Sequence, residues 1–246
     1  MGATKPATGG RRFRGQSPEE RVHQRREQLL EAGLHTFGAR GFHAVGVREI
    51  CAAAGLTERY FYESFTNREA LYVAVFERSA ERIRAAVNAA TDAAPKDVGS
   101  MARAGLRAYL ETLRDEPNLA RVLLIDVFAI GPDAGGEPQK TMESFARQIA
   151  VLVRALFPDL TERQLDAELV ANGLFGSTLY QVLRWATGGY VEPVERVLDH
   201  CVLFYEALAA EARKSRPNAA PAPRATPSGG KPTAKRRSNE SKGTTE

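Results

Sequence analysis

Between Ser17 and Lys214 the apolar residues recur every three or four positions, and no stretch alternates in the manner of a half-buried strand. This restricts the chain to helix-on-helix packing, because an amphipathic helix buries one stripe and needs a neighbour to bury it against. Pro117, Gly131-Pro132, Pro158 and Gly188-Gly189 interrupt the pattern, as do Gly41 and Gly55, and nine helices are expected in all. The first opens on Ser17-Pro18-Glu19-Glu20, a capping box with proline where no donor is missed. Its apolar face is expected to run through Val22, Leu29, Leu30, Leu34 and Phe37 to a stop at Gly41. Two short helices follow, over Val47–Ala54 and 57–65, parted by Gly55 as a left-handed stop. Thr66-Asn67-Arg68-Glu69 reads as a second capping box, opening a longer helix with Leu71, Val75, Ile83 and Val87 on one side. The remaining helices are predicted over Val98–Asp115, 118–130, 137–157, 161–187 and 193–214.

Composition narrows the function. No apolar run approaches a membrane span, and Lys5, Arg11, Arg12 and Arg14 have no apolar segment behind them, so a secretory signal is not expected. Cys51 and Cys201 are far apart and read as small buried side chains in a reducing, cytoplasmic setting. His23, His35, His43 and His200 lack paired-ligand spacing, and there is neither a glycine-rich phosphate loop nor a Gly-x-Ser-x-Gly elbow. No catalysis, metal or cofactor is therefore expected. Residues 1–26 hold seven Lys/Arg against two Glu, and residues 215–246 again seven against two. Each end thus carries +5 in a chain whose total is +4, leaving an acidic middle. Residues 1–16 and the proline-rich 215–246 are predicted to be disordered basic segments that meet polyanions.

The stretch 47–65 is a short helix, a Gly-Leu-Thr turn and a second short helix. Ile50, Ala54, Leu56, Phe61 and Phe65 can pack inward, leaving Thr57, Glu58, Arg59, Tyr60 and Tyr62 toward the start and outer face of the second helix. That is a helix-turn-helix, whose second helix presents its first turns to base edges in the major groove. From Arg25 to Leu71 the sequence resembles the DNA-binding region of the TetR family, with Phe37, Gly41, Ile50, Ala54, Gly55, Tyr62, Phe65, Arg68, Glu69 and Leu71 on that family's pattern. The resemblance implies an all-α, nine-helix TetR-like fold. A basic arm (1–16) would precede a three-helix DNA-binding head (17–72), followed by a ligand-binding and dimerisation domain (73–214) and a basic Pro/Ala-rich tail (215–246).

Carried over by matched position, Thr57 is expected to cap the second short helix and reach a phosphate, Tyr62 to touch the DNA backbone, and Arg68 to clamp a second phosphate. Arg48 is expected at a phosphate or base edge, and Glu58, Arg59 and Tyr60 at bases, with Arg59 suited to a guanine fork. Val45 and Gly46 replace hydroxyl residues common there, and Glu63 puts negative charge near the groove where histidine is frequent. Arg21 to Leu71 holds seven basic and six acidic residues. Affinity for DNA is largely phosphate electrostatics, so Arg11, Arg12 and Arg14 are expected to supply grip from the arm.

The resemblance further implies a homodimer on a palindromic operator, released as a repressor by a small-molecule inducer. The last two helices, with Gly173 and Gly176 one turn apart and a stripe through Val197, Cys201, Phe204, Tyr205 and Leu208, are expected to pair two subunits. Candidate pocket residues are Tyr109, Asp126, Phe128, Phe145, Asn172, Phe175, Tyr180, Gln181 and Trp185, polar or aromatic groups in otherwise apolar stretches. The alternative is an all-helical adaptor that pairs with another protein and does not bind DNA. The many polar groups around Thr57 and Arg68 argue against it.

Overall fold

The computed structural model describes residues 17–128, 136–160 and 162–214. Ser17 Oγ accepts from the Glu20 amide at 3.1 Å while the Ser17 amide donates to Glu20 Oε2 at 2.5 Å, so both arms of the capping box form and start α1 (Pro18–Arg40). Val22, expected on the buried face, is 45% exposed. The first buried residue of α1 is Leu29, two turns later. A 3-10 turn (Phe42–Ala44) leads to α2 (Val47–Ala54) and α3 (Glu58–Ser64). Leu29, Phe37, Phe42, Ile50, Phe61, Leu71 and Tyr72 close one core around these elements and the start of α4 (Arg68–Ala93).

The cap of α4 lies one residue later than expected: Asn67 Oδ1, not Thr66, accepts from the Ala70 amide at 2.7 Å. Asparagine in extended backbone is as good a cap as any, and it displaces the box. The expected boundary between residues 72 and 73 falls inside α4, which is unbroken, so the two regions share this helix.

The remainder is α5 (Val98–Asp115), α6 (Pro117–Leu124), a second 3-10 turn (Asp126–Phe128), α7 (Glu137–Leu156), α8 (Ala167–Thr187) and α9 (Val194–Lys214). Two expectations are corrected. The helix predicted over 118–130 ends at Leu124, because Asp126 is drawn across to the Phe42 amide. The helix predicted over 161–187 begins at Ala167, where Asp166 caps the Glu168 and Leu169 amides at 2.8 and 2.9 Å. Gln164, at φ +54, lies in the turn before it. The described residues thus form nine helices and no strand. None is long and apolar enough to cross a membrane. The predicted arm with Arg11, Arg12 and Arg14 and the tail from residue 215 lie outside the described residues.

Candidate nucleic-acid interface and internal cavity

The turn between α2 and α3 needs a residue with positive φ, and Gly55 supplies it (φ 67, ψ 29). Its amide and that of Leu56 close back on Ala52 and Cys51 carbonyls, which ends α2 and redirects the chain. Phe61 and Phe65 anchor α3 to the core, so the rest of its first two turns faces outward. Thr57, Glu58 and Arg59 are exposed, as are Arg48 and Tyr62. Thr57 occupies the cap position of α3, yet its hydroxyl makes no capping bond. Its own carbonyl already accepts from the Tyr60 amide at 3.0 Å, which leaves the hydroxyl on the surface.

Three arginines lie over aromatic rings and fix this surface: Arg25 over Tyr60 at 4.3 Å, Arg26 over Phe65 at 4.3 Å and Arg68 over Phe42 at 4.2 Å. Arg26 Nη1 also donates to the Ser64 carbonyl at 3.0 Å, tying the end of α3 to α1. Arg68, expected to clamp a phosphate, already has partners within the protein. Its side chain is 26% exposed and donates to the Val45 carbonyl at 3.1 Å and to Glu69 at 3.2 Å. Glu63 is neutralised from two sides, by Arg25 at 3.5 Å and Arg59 at 3.3 Å. The second pair is worth little, because the Arg59 side chain is 84% exposed and free to exchange partners. Arg25 and Arg26 were not singled out in the sequence. Their signal was the spacing that sets them one turn before Leu29 and Leu30, on the side that α3 covers. At the start of α2, Glu49 accepts from the Gly46 amide at 2.9 Å and pairs with Arg40. The amide first, and then the guanidinium, lower its carboxyl below the ordinary value.

Behind this surface α6 packs on α1. Gly38 permits the approach, since a Cβ there would stand 2.4 Å from Cβ and 2.5 Å from Cα of Asn118. The buried Asp126 accepts from the Phe42 amide at 2.9 Å and faces Arg121 Nε at 3.6 Å, while Tyr72 donates to the Val122 carbonyl at 2.6 Å. Burial, and then the charge of Asp126, raise the Tyr72 phenol far above its ordinary range, so it stays a donor.

On the far side of α6 is a cavity of about 400 Å³. Its wall takes Phe76, Ala80 and Ile83 from α4, Leu106 and Tyr109 from α5, and Leu123 and Leu124 from α6. Met142, Phe145 and Ile149 from α7, Phe175, Thr178 and Leu179 from α8 and Tyr205 from α9 also line it, and Asn88, Thr91 and Gln148 add polar side chains. Of the pocket candidates, Tyr109, Phe145 and Phe175 lie on this wall, the two phenylalanine rings within 6° of parallel with centroids 6.5 Å apart. The other described candidates do not line it. Asp126 is the joint to Phe42, and Trp185 packs in the core and donates to the Glu192 carbonyl at 2.8 Å. Gln181 is half-buried off the wall, and Asn172 and Tyr180 face outward. The side chain of Phe128 lies outside the described residues.

The outward residues of α8 share one face: Leu169 (73% exposed), Asn172, Gly173, Gly176 and Tyr180 (63% exposed). A Cβ at either glycine would meet nothing within 4 Å. Leu203 and Phe204 of α9 are exposed as well, whereas Cys201 and Tyr205 of the expected pairing stripe are buried.

Residues 29–75 match the family model described as "Bacterial regulatory proteins, tetR family". The chain is similar to the HTH-type transcriptional activator FasR of Mycolicibacterium smegmatis, 27% identical over 75% of this chain and 80% of that protein. It is also similar to the HTH-type transcriptional regulator RutR of Escherichia coli, 30% identical over 54% of this chain, where the match spans 58% of the relative. Among solved structures it shares its fold with the transcriptional regulator FadR from Bacillus subtilis in complex with stearoyl-CoA. The TM-score is 0.60 at 15% identity, over 75% of this chain and 97% of that one. Residues 29–75 therefore carry a DNA-binding region of the tetR-family type, and over most of its length the chain is similar to transcriptional regulators.

Proposed function

We propose that the chain is a homodimeric repressor that occupies a palindromic operator and leaves it when a small, mainly apolar effector enters the cavity. The observation that carries this reading is the exposed start of α3, with Thr57, Glu58, Arg59 and Tyr62 on one surface over a buried Phe61 and Phe65. A helix so mounted can insert its first turns into a major groove. In this reading Thr57 and Tyr62 meet phosphates, Arg48 a phosphate or base edge, and Glu58 and Arg59 read bases, Arg59 exchanging Glu63 for a guanine. Tyr60, half-buried under Arg25, reads at the margin. Arg68 serves as an internal brace for the 3-10 turn and contributes little to phosphate binding. Arg11, Arg12 and Arg14 add grip from the arm.

The outward apolar face of α8, with Leu203 and Phe204 of α9, supports pairing of two copies, which matches a two-fold operator. Two elements join cavity to DNA surface: α4, common to both regions, and α6, which is cavity wall at Leu123 and Leu124 and holds α1 through Asn118 and Asp126. An effector acts only if it binds one arrangement of these helices better than the other. The bound stearoyl-CoA of the B. subtilis FadR supports an effector with a long apolar part.

The test is an electrophoretic shift with DNA from upstream of the protein's own gene at two salt concentrations, with wild type and Tyr62→Ala. A shift weakened in the variant, and a flatter salt dependence once residues 1–16 are removed, are expected. No shift on any such fragment overturns the reading in favour of an adaptor. The activator name of the M. smegmatis relative favours a second reading in which the bound dimer recruits polymerase. A reporter gene behind the bound fragment distinguishes the two by the sign of its response.

A further inference from the structure

The walls of the cavity carry no Asp, Glu, Lys, Arg or His. A carboxylate or ammonium lodged inside would be desolvated with no counter-charge, at a cost no apolar contact offsets. The lining is nonetheless not wholly apolar: Asn88 and Thr91 of α4 and Gln148 of α7 lie on it, as do three hydroxyl groups from α5, α8 and α9. Tyr109 reaches in from α5, and its hydroxyl has no hydrogen-bond partner among the described residues. On the same wall, the buried Thr178 and Tyr205 bring their hydroxyls to 3.4 Å. One of those two hydroxyls donates to the other, so the second hydrogen is left over. Two O–H donors on this wall therefore make no hydrogen bond to any described residue. Burial pushes the phenols of Tyr109 and Tyr205 upward from their ordinary values, and the two rings lie within electrostatic reach of each other, so both remain protonated donors.

Two unmet donors on neighbouring residues of an uncharged, mainly apolar wall match an acceptor oxygen with two lone pairs. Resting on the effector-responsive reading above, we infer that the cavity selects an uncharged, mainly apolar molecule whose single carbonyl oxygen is held between Tyr109 and the Thr178–Tyr205 pair. At the volume of about 30 Å³ that a water takes in the liquid, 400 Å³ holds on the order of a dozen non-hydrogen atoms. A medium-length ketone or ester fills it. An acid of the same length leaves its charge unpaired, and a hydrocarbon leaves both donors unmet.

The experiment uses the full chain and the neutral fluorescent dye N-phenyl-1-naphthylamine, displaced near neutral pH by 2-undecanone, undecane or undecanoate. The ketone is expected to displace the dye at about one tenth of the concentration the hydrocarbon needs, with undecanoate weakest. Tyr109→Phe and Tyr205→Phe are each expected to narrow the gap between ketone and hydrocarbon, and the double variant to close it. Thr178→Val provides a second route should the double variant fail to show the helical melting transition of the wild type by circular dichroism. Dye binding with equal displacement by all three compounds, a lead for undecanoate, or a ketone preference that survives in the variants overturns the inference while leaving the regulator reading intact. Binding by none of the four compounds, in a protein that still shifts DNA, overturns the inference together with effector control.

Discussion

The two ends of α4 belong to regions built to opposite standards. Around its first turns, Leu29, Phe37, Ile50, Phe61, Leu71 and Tyr72 are fully buried in one contiguous core. From Phe76 onward the same helix borders a cavity of about 400 Å³. Filled interiors hold one arrangement, because every displacement loses contacts. A hollow one gives up that rigidity and gains a place where an added molecule changes which arrangement is best packed. The DNA-facing region therefore keeps its surface residues in register, and the other region is able to repack.

The largest effects should come from breaking that asymmetry. Phe61→Ala removes a side chain from the filled core and is expected to destabilise the protein by about 3–5 kcal/mol and abolish the DNA shift. Leu179→Ala, at the rim of a space already empty, is expected to cost no more than about 2 kcal/mol. Urea denaturation of both variants checks the pair, and equal losses would mean that the cavity is not hollow in solution. Next comes the joint. Asp126→Ala leaves the Phe42 amide without its acceptor and Arg121 without its counter-charge, for an expected loss of about 1–3 kcal/mol. Its distinguishing sign is operator binding that persists but no longer responds to a cavity ligand, read by gel shift with and without 2-undecanone. The smallest effect concerns Glu49, whose lowered pKa ties it to charge at the start of α2. A carboxyl with a depressed folded value contributes stability above its ordinary value of 4.5, and that contribution disappears as pH falls through the folded value. Glu49→Gln is expected to flatten the acid limb of thermal stability below that point without moving the neutral plateau, measured by melting curves across pH.

The DNA-facing surface was legible because its determinants are local. Gly55, Leu56, Phe61 and Phe65 sit within a dozen residues, and helix periodicity sorts them into inner and outer sides. Boundaries shifted where two good caps stood side by side, as with Thr66 and Asn67. The cavity was only partly legible, since six helices converge on it and no local rule says which stripe faces which neighbour. Asp126 shows the difficulty. A carboxylate inside an apolar run reads equally as a pocket group or as an acceptor for a distant amide, and its partner Phe42 lies 84 residues away. Asn172 and Tyr180 interrupt an apolar helix for another reason: they mark its outward face. Thr178, one turn from Leu174 and Val182 on the buried side, became notable only once Tyr205 was seen beside it.

Leu123 belongs to the core behind the DNA-facing surface, to the core of the second region and to the cavity wall at once. If the proposed effector control holds, positions such as Ile149 and Phe175, which border the cavity from α7 and α8, are where a designer would change the compound recognised. Leu123 is not such a position. Under the proposed effector control, any change there alters the compound detected and the strength of the signal together, so a library meant to alter one without the other should hold it fixed.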